Sequence, residues 1–568
     1  MSPAAPLSDT QDADTPANTT GLAMTGRRKP GPPPASGKPV VGHGPALPEE
    51  PYGDGAGPFE TILFPPGLEE MRDETAEEPG CFGDLNLDQI VAAAVAGRED
   101  DDLRRFFHSP YRDEKIVGYR QEVFQDLENQ GVFALIPRFC DGMRKVGLDL
   151  RYAEKIYFKC HRQMVVFGAM RHYCDTVGDF VRGLDEADLR SRGLRNLRCY
   201  LDDYKASIAF TALAGETGAI GKKLAALRYG MLIHGDKVTV RDYAGEADYA
   251  AMVRSQFERF RTPDSSEEAE TKKKDEWSMN HVEEGILDLV GRLYPDVFSA
   301  LETYLKHHAD FIDETVARFD REVRFFLAYL AYIEPLKTAG LSFCYPQVSA
   351  SSKSVLVRKG FDLALAAKLT GEKKPIVGND FHLGGAERLI VVSGPNQGGK
   401  TTFARMFGQM HFLAGLGCPV PGVEARLFLA DRIYTHFERE EDIANLRGKL
   451  EDELVRLHET IERMTGDSVV ILNEIFNSTS LEDQVFLSRE VLANIMATDA
   501  IGVCVTFIDE LASLSEKTVS MVSTVVPDDP AVRTFQILRR PADGLAYALS
   551  LAEKHNVTFE RLRERIRP

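Results

Sequence analysis

A chain of 568 residues is too long for one hydrophobic core, and 43% hydrophobic with 27% charged residues is the composition of a folded globular protein, not of a fibre or a disordered chain. No apolar run reaches the roughly 18 residues of a bilayer span and the N-terminus lacks an apolar signal core, so neither membrane contact nor secretion is expected and a cytoplasmic setting is. A formal net charge of −19 excludes nonspecific gripping of nucleic acid over the whole surface, so any such contact must use a local basic face.

Residues 1–58, rich in Pro, Gly, Ala, Ser and Thr, cannot bury enough apolar surface to fold and read as a solvated tail. From Phe59 the apolar residues recur at three- and four-residue spacing, as in RDEKIVGYRQEVFQDLEN, which predicts a helical core domain over 59–196. Eight cysteines are scattered without C-x-x-C spacing, which fits reduced thiols and not zinc.

Residues 197–345 read as two long helical arms. The first runs from Leu197 to about Leu227, the second from Asn280 to about Lys337. Between them, MLIHGDKVTVRDY alternates around Gly235-Asp236 as a β-hairpin would, and PDSSEEAETKKKDEW (263–277) is a polar, low-complexity loop. Arms with a β tip suit a clamp on DNA or a spacer with a solvated end. Lys222, Lys223, Arg228, Lys237 and Arg241 gather at that tip and form the best basic patch in the sequence for phosphate contacts, or an ordinary charged surface.

From 346 to 568 short strands and helices alternate, as in an α/β nucleotide-binding domain. Its centre is LIVVSGPNQGGKTT, in which the strand Leu389 to Val392 leads through a glycine-rich turn into the helical FARMFGQMHFLAG. Gly394, Gly399, Lys400 and Thr401 complete G-x-x-x-x-G-K-[ST], where backbone N–H groups wrap nucleotide phosphates. Lys400 would reach the outer phosphates and the Thr401 hydroxyl would sit on Mg²⁺. A second strand, Val469 to Leu472, ends in Asn473-Glu474, and a third, in IGVCVTFIDEL, ends near Thr506. Polar groups at the carboxyl ends of such strands lie where ligands bind.

Together GPNQGGKTT, GLGCPVPGVEARLFLADRIYTHF and VVILNEIFNSTSLEDQ resemble the ATPase domain of the MutS family of DNA mismatch repair proteins, and segments from about residue 80 resemble the helical core and lever before it. The resemblance implies a multidomain protein: an α-helical core and lever, then an ABC-type α/β P-loop ATPase. It also implies a homodimer closing around ATP and Mg²⁺, with DNA as partner. On the matching positions, Gly394, Pro395, Asn396, Gln397, Gly398, Gly399, Lys400, Thr401 and Thr402 would hold the phosphates and Asn379 would lie beside them. Thr401 and Asn473 would serve the metal, and Glu474 would polarise the attacking water with Lys400 as the catalytic cation. Thr479, Ser480 and Asp483 match the loop after the second motif.

Several positions depart from the family pattern. Asn473 replaces an aspartate and loses a full charge; Phe507, after Thr506, replaces a histidine that senses γ-phosphate; Gly448 replaces a signature serine; Ile376 replaces an adenine-stacking phenylalanine. Each predicts weaker metal, phosphate or base contacts, so a slow ATPase is expected, with a non-hydrolysing nucleotide switch as the rival and an RNA- or protein-directed ATPase as a third reading. No Phe-x-Glu mismatch-reading motif and no nuclease-like module are found, so mismatch specificity is not expected. His307-His308, with Asp310 and Asp313 nearby, is a candidate metal cluster or a solvated face, and Trp277 a candidate anchor or local packing. The C-terminal ERLRERIRP reads as a basic amphipathic helix.

Overall fold

The computed structural model describes residues 59–71, 77–97, 103–245, 278–438, 448–526 and 529–542, with single positions 558 and 563. The tail 1–58, the polar loop with Trp277 and all but one residue of the C-terminal ERLRERIRP lie outside the described residues. The architecture is helices followed by mixed sheets. Among the described residues no helix is long and apolar enough to cross a membrane.

Six helices lead the chain: α1 (Leu87–Ala94), α2 (Glu114–Leu127), α3 (Gln130–Lys155), α4 (Lys159–Glu186), α5 (Arg192–Ala206) and α6 (Ile208–Ala225). A hairpin follows, β1 (Tyr229–His234) and β2 (Lys237–Asp242), then α7 (His281–Leu293), α8 (Pro295–His307) and α9 (Glu314–Thr338). The hairpin turns at Gly235-Asp236 as expected, with Gly235 at φ 63°, the conformation a two-residue turn needs at its first position.

The two continuous arms are not formed. The stretch 197–227 breaks at Ser207, whose hydroxyl accepts the Phe210 N–H at 3.2 Å and so caps α6 instead of continuing α5. The stretch 280–337 breaks at Tyr294, where Pro295 lacks the N–H needed to continue, and again before Asp313, whose carboxylate caps α9. The shorter pieces α5, α6, α7 and α8 pack along α4. At Ser207 the buried positions change face: Leu194, Leu197 and Leu201 give way to Phe210, Leu213 and Thr217, while Ile208, where the first stripe would continue, is exposed.

Next come β3 (Phe343–Cys344), β4 (Gln347–Ser349), β5 (Val355–Gly360), α10 (Leu363–Gly371), β6 (Asn379–Leu383), β7 (Leu389–Ser393) and α11 (Lys400–Gly415). The chain continues through β8 (Val420–Pro421), β9 (Glu424–Phe428), β10 (Ile433–His436), α12 (Lys449–Arg463), β11 (Val469–Asn473), α13 (Leu481–Ala497), β12 (Ile501–Val505), β13 (Thr518–Val526) and β14 (Asp529–Arg539). The main sheet has the order β10-β11-β12-β7-β13-β14, parallel except at the antiparallel β13–β14 pair. A four-stranded sheet, β4-β9-β5-β6, lies alongside in sequence and supplies Asn379.

The central strand β7 alternates strictly. Ile390 and Val392 join the large core, which also takes in the helical layer; Leu389 and Val391 join a second core with α12 and α13 residues such as Leu457 and Leu492. A strand buried on both faces must be apolar throughout, which is why LIVV carries no polar residue. All eight cysteines are free.

The helical layer and the sheet layer meet on α11. The buried Gln409 side chain accepts the Leu363 N–H at 2.8 Å and donates to Leu85 O at 2.8 Å and Asp362 Oδ1 at 2.9 Å. Arg120, equally buried, donates to Leu63 O at 3.0 Å and Leu416 O at 3.3 Å, its guanidinium lying over Tyr111. Replacing Gln409 with Leu keeps the volume and strands the Leu363 N–H and Leu85 O, while Asp362 Oδ1 keeps the Leu365 N–H. At roughly 1–3 kcal/mol per stranded group with partial relaxation, we expect a loss of about 2–4 kcal/mol, read as a lowered urea midpoint.

Candidate functional site

Strand β7 ends at the switch in strand order, with β12 on one side and β13 on the other, so the chain leaving it crosses the carboxyl edge of the sheet. The following turn is held in left-handed conformations at Gly394 (φ 111°), Gln397 (φ 58°) and Gly399 (φ 90°). No side chain caps α11, so the first-turn amides are left facing outward as an anion site. Ser523 of β13 donates to Gly398 O at 2.8 Å, and a methyl group at Gly398 would lie 2.1 Å from the Ser523 hydroxyl. Glycine is required at that position by proximity.

Lys400 opens α11 and is buried, donating to Gly394 O at 2.9 Å and Pro395 O at 3.2 Å. Its ammonium sits 4.1 Å from the centre of the Phe507 ring. Burial lowers the Lys400 pKa from 10.5 to about 8, with Glu474 opposing and Arg533 assisting. Thr401 donates its hydroxyl to Asn473 Oδ1 at 2.9 Å, so the two residues expected to serve a metal are in contact.

Glu474 follows at the end of β11 and is turned into the cleft by a left-handed backbone (φ 54°), its N–H bonded to Val505 O at 2.9 Å. Phe476 is also left-handed (φ 60°), and such strain concentrates at functional sites. Burial pushes the Glu474 carboxyl up, against Lys400 and a long hydrogen bond from Asn477. Thr506 is committed locally, its hydroxyl accepting the Ile508 N–H at 3.0 Å. Thr479, Ser480 and Asp483 form a helix cap at the start of α13, Ser480 donating to Asp483 Oδ2 at 2.8 Å. Gly448 stands just ahead of α12.

A cavity of about 540 Å³ brings together Lys400, Thr401 and Glu474, while Asn473, Thr479, Ser480, Asp483 and Gly448 are not part of its lining. Its lining includes Asn396, Gln397, Gly398, Gly399, Lys400, Thr401, Thr402, Glu474, Asn379 and Ile376, and, among residues the sequence did not mark, Leu365 of α10 and Phe535. Phe535 lies on β14 in a left-handed conformation (φ 58°), half exposed, and Asn379 pins this strand by donating to Phe535 O at 3.2 Å and accepting the Ile537 N–H at 2.8 Å. Arg533 on the same strand donates to Asn396 O at 3.0 Å. No motif marks AVRTFQILRR; only the antiparallel return of β14 beside β13 brings it to the turn.

Residues 390–557 match MutS domain V. The C-terminal part of this chain is MutS-like. The chain is 25% identical over 283 residues to the DNA mismatch repair protein MutS of Chlorobium phaeovibrioides, covering 48% of this chain and 31% of that protein. It is 29% identical over 199 residues to MutS of Chloroflexus aurantiacus (35% and 20% of the two chains), and 31% identical over 134 residues to MutS of Rickettsia bellii (24% and 15%). The matches thus span less than a third of these MutS proteins.

The proximity of Ser523 to the turn can be tested directly. Gly398→Ala is expected to destabilise by about 1–3 kcal/mol through overpacking. The same change in a Ser523→Gly background should do less damage, a coupling read in a double-mutant cycle of urea melts.

Proposed function

We propose that this chain is a MutS-like ATPase that binds ATP with Mg²⁺ against the turn Gly394 to Thr402 and uses occupancy to control closure of a homodimer on DNA. The observation that carries the reading is the buried Lys400 at an uncapped helix N-terminus, behind a glycine-rich turn that opens on a cavity of about 540 Å³. The fit to a triphosphate rests on this ground: the turn leads into the uncapped first-turn amides of α11 and sets one buried cation beside the cavity. The base would lie toward Ile376 and Phe535, the ring of Phe535 supplying the aromatic face that Ile376 lacks.

Thr401 and Asn473 would hold Mg²⁺, which when bound offsets the negative charge of the phosphates. Their hydroxyl and amide oxygen are already adjacent, but neither brings a negative charge. Glu474 stands in the cavity with its carboxyl shifted up by burial, and the charge on Lys400 draws it back toward the carboxylate needed to accept a proton from an attacking water. The domain division at 59–196, 197–345 and 346–568, the dimer and the DNA contact are part of this proposal.

A second reading, a nucleotide switch that does not hydrolyse, is favoured by one contact. The Phe507 ring covers the Lys400 ammonium, where a histidine could donate to phosphate and a phenyl ring cannot. ATP turnover measured with and without duplex and branched DNA separates the two. DNA-stimulated turnover supports the first, and binding without turnover the second.

Lys400→Ala is expected to abolish ATP affinity, and unchanged affinity would remove the basis for this site. Asn473→Asp should tighten Mg²⁺ and raise turnover; no gain would mean the site has lost more than one charge. The lowered Lys400 pKa gives a third test. Phosphate favours the ammonium, so binding above the free-site value of about 8 takes up a proton, and affinity falls as pH climbs above that value. Calorimetry at about pH 9 in buffers of different ionisation heat should show most of one proton taken up in the wild type.

A further inference from the structure

His307 and His308 close helix α8, and the tertiary fold, not the nearby sequence, gives them a third partner. Asp313, close in sequence, is committed to capping α9. Glu216 of α6, far away in the chain, lies beside both rings instead. Its Oε2 is 3.0 Å from His308 Nε2 and 4.0 Å from His307 Nδ1, and one ligand atom from each of the three residues falls within 4.8 Å of the others. The rings stack at 4.7 Å between centroids and 30° between planes, so both present a nitrogen to the same side.

We propose that Glu216, His307 and His308 form a binding site for a borderline divalent transition metal of the Zn²⁺ class, tying α6 to α8. Bonds of about 2.1 Å at a tetrahedral angle place ligand atoms about 3.4 Å apart. The two observed nitrogen–oxygen separations, 3.0 and 4.0 Å, bracket that value, so small side-chain rotations close the site. A His308–Glu216 hydrogen bond alone leaves the His307 nitrogen too distant to share it; one cation serves all three. Two imidazoles and a carboxylate select Zn²⁺, Co²⁺ or Ni²⁺ over Mg²⁺ and Ca²⁺, which prefer all-oxygen shells.

Two further features favour a cation here. The C-terminal end of α8 carries the negative end of the helix dipole. The buried Tyr304 ring packs 5.0 Å from His308 and its hydroxyl meets Thr217 Oγ1 at 2.5 Å, which fixes the face that His308 presents. His308 is 11% exposed and His307 70%, so the ion would enter from the His307 side and keep a fourth position for solvent. This site stands apart from the nucleotide proposal and does not depend on it.

The test uses the full chain stripped with EDTA, titrated with ZnCl₂ by calorimetry and with CoCl₂ by visible absorption. The wild type should bind one equivalent more than a His307→Ala/His308→Ala double variant. Glu216→Gln should weaken that equivalent at least about tenfold, the lower end of what outer-sphere partners alone contribute. ZnCl₂ should also raise the melting temperature of the wild type but not of Glu216→Gln. If the double variant does not fold, His307→Ala alone, on the solvent side, must still lose the equivalent. Equal stoichiometry and affinity in wild type and variants would overturn the proposal.

Discussion

Everything at the candidate site follows from how closely strand β13 approaches the glycine-rich turn. Ser523 holds Gly398 O from one side while leaving no space for a methyl group, so the backbone is clamped by a hydrogen bond and by exclusion at once. The clamp sets where the turn ends and α11 begins, and therefore where Lys400 and the free amides of the first turn point. Since β13 and β12 flank β7, the same sheet that fixes the turn also brings Glu474 and Thr506 to its edge.

The other end of α11 is fixed by different means. Gln409 and the backbone around Leu416 take hydrogen bonds to residues 63–120, so the helix that starts at the cleft finishes under the helical layer. Gly408 lets Leu85 and Ile471 close over the helix, where a methyl group would lie 2.5 Å from the Ile471 side chain. One rigid helix thus spans the distance between a solvent-facing cavity and a buried seam. Polar groups buried in that seam are satisfied only with both layers in place, which makes their registry specific as well as stable.

Beside the cavity, two neutral groups touch Thr401 and Lys400. Asn473 keeps an oxygen against Thr401 without a negative charge, and Phe507 offers Lys400 a π face instead of a hydrogen bond. A carboxylate at 473 or an imidazole at 507 would change the electrostatics beside the cavity, and low-dielectric surroundings magnify such differences. The left-handed residues Glu474 and Phe476 show that the backbone still bears strain to aim the carboxyl into the cleft.

The strand β7, the turn after it, the hairpin at Gly235 and the Asn473-Glu474 strand end were legible in the chain because each is a local pattern: alternation, a glycine with positive φ, or an apolar run closing on polar residues. The turn's lysine and threonine were legible for the same reason. Helix breaks at Ser207 and Tyr294 were not, because capping competes with helix continuation only by a small margin and apolar residues at three- and four-residue spacing occur on both sides of each break. Nor could the sequence reveal Phe535 and Arg533 over the turn, Phe507 on Lys400, or Glu216 beside two histidines. These contacts join segments whose separation along the chain carries no spacing rule, and they exist because sheet order and helix packing, driven by burial of both faces of β7 and of the stripe along α4, bring distant side chains to one place.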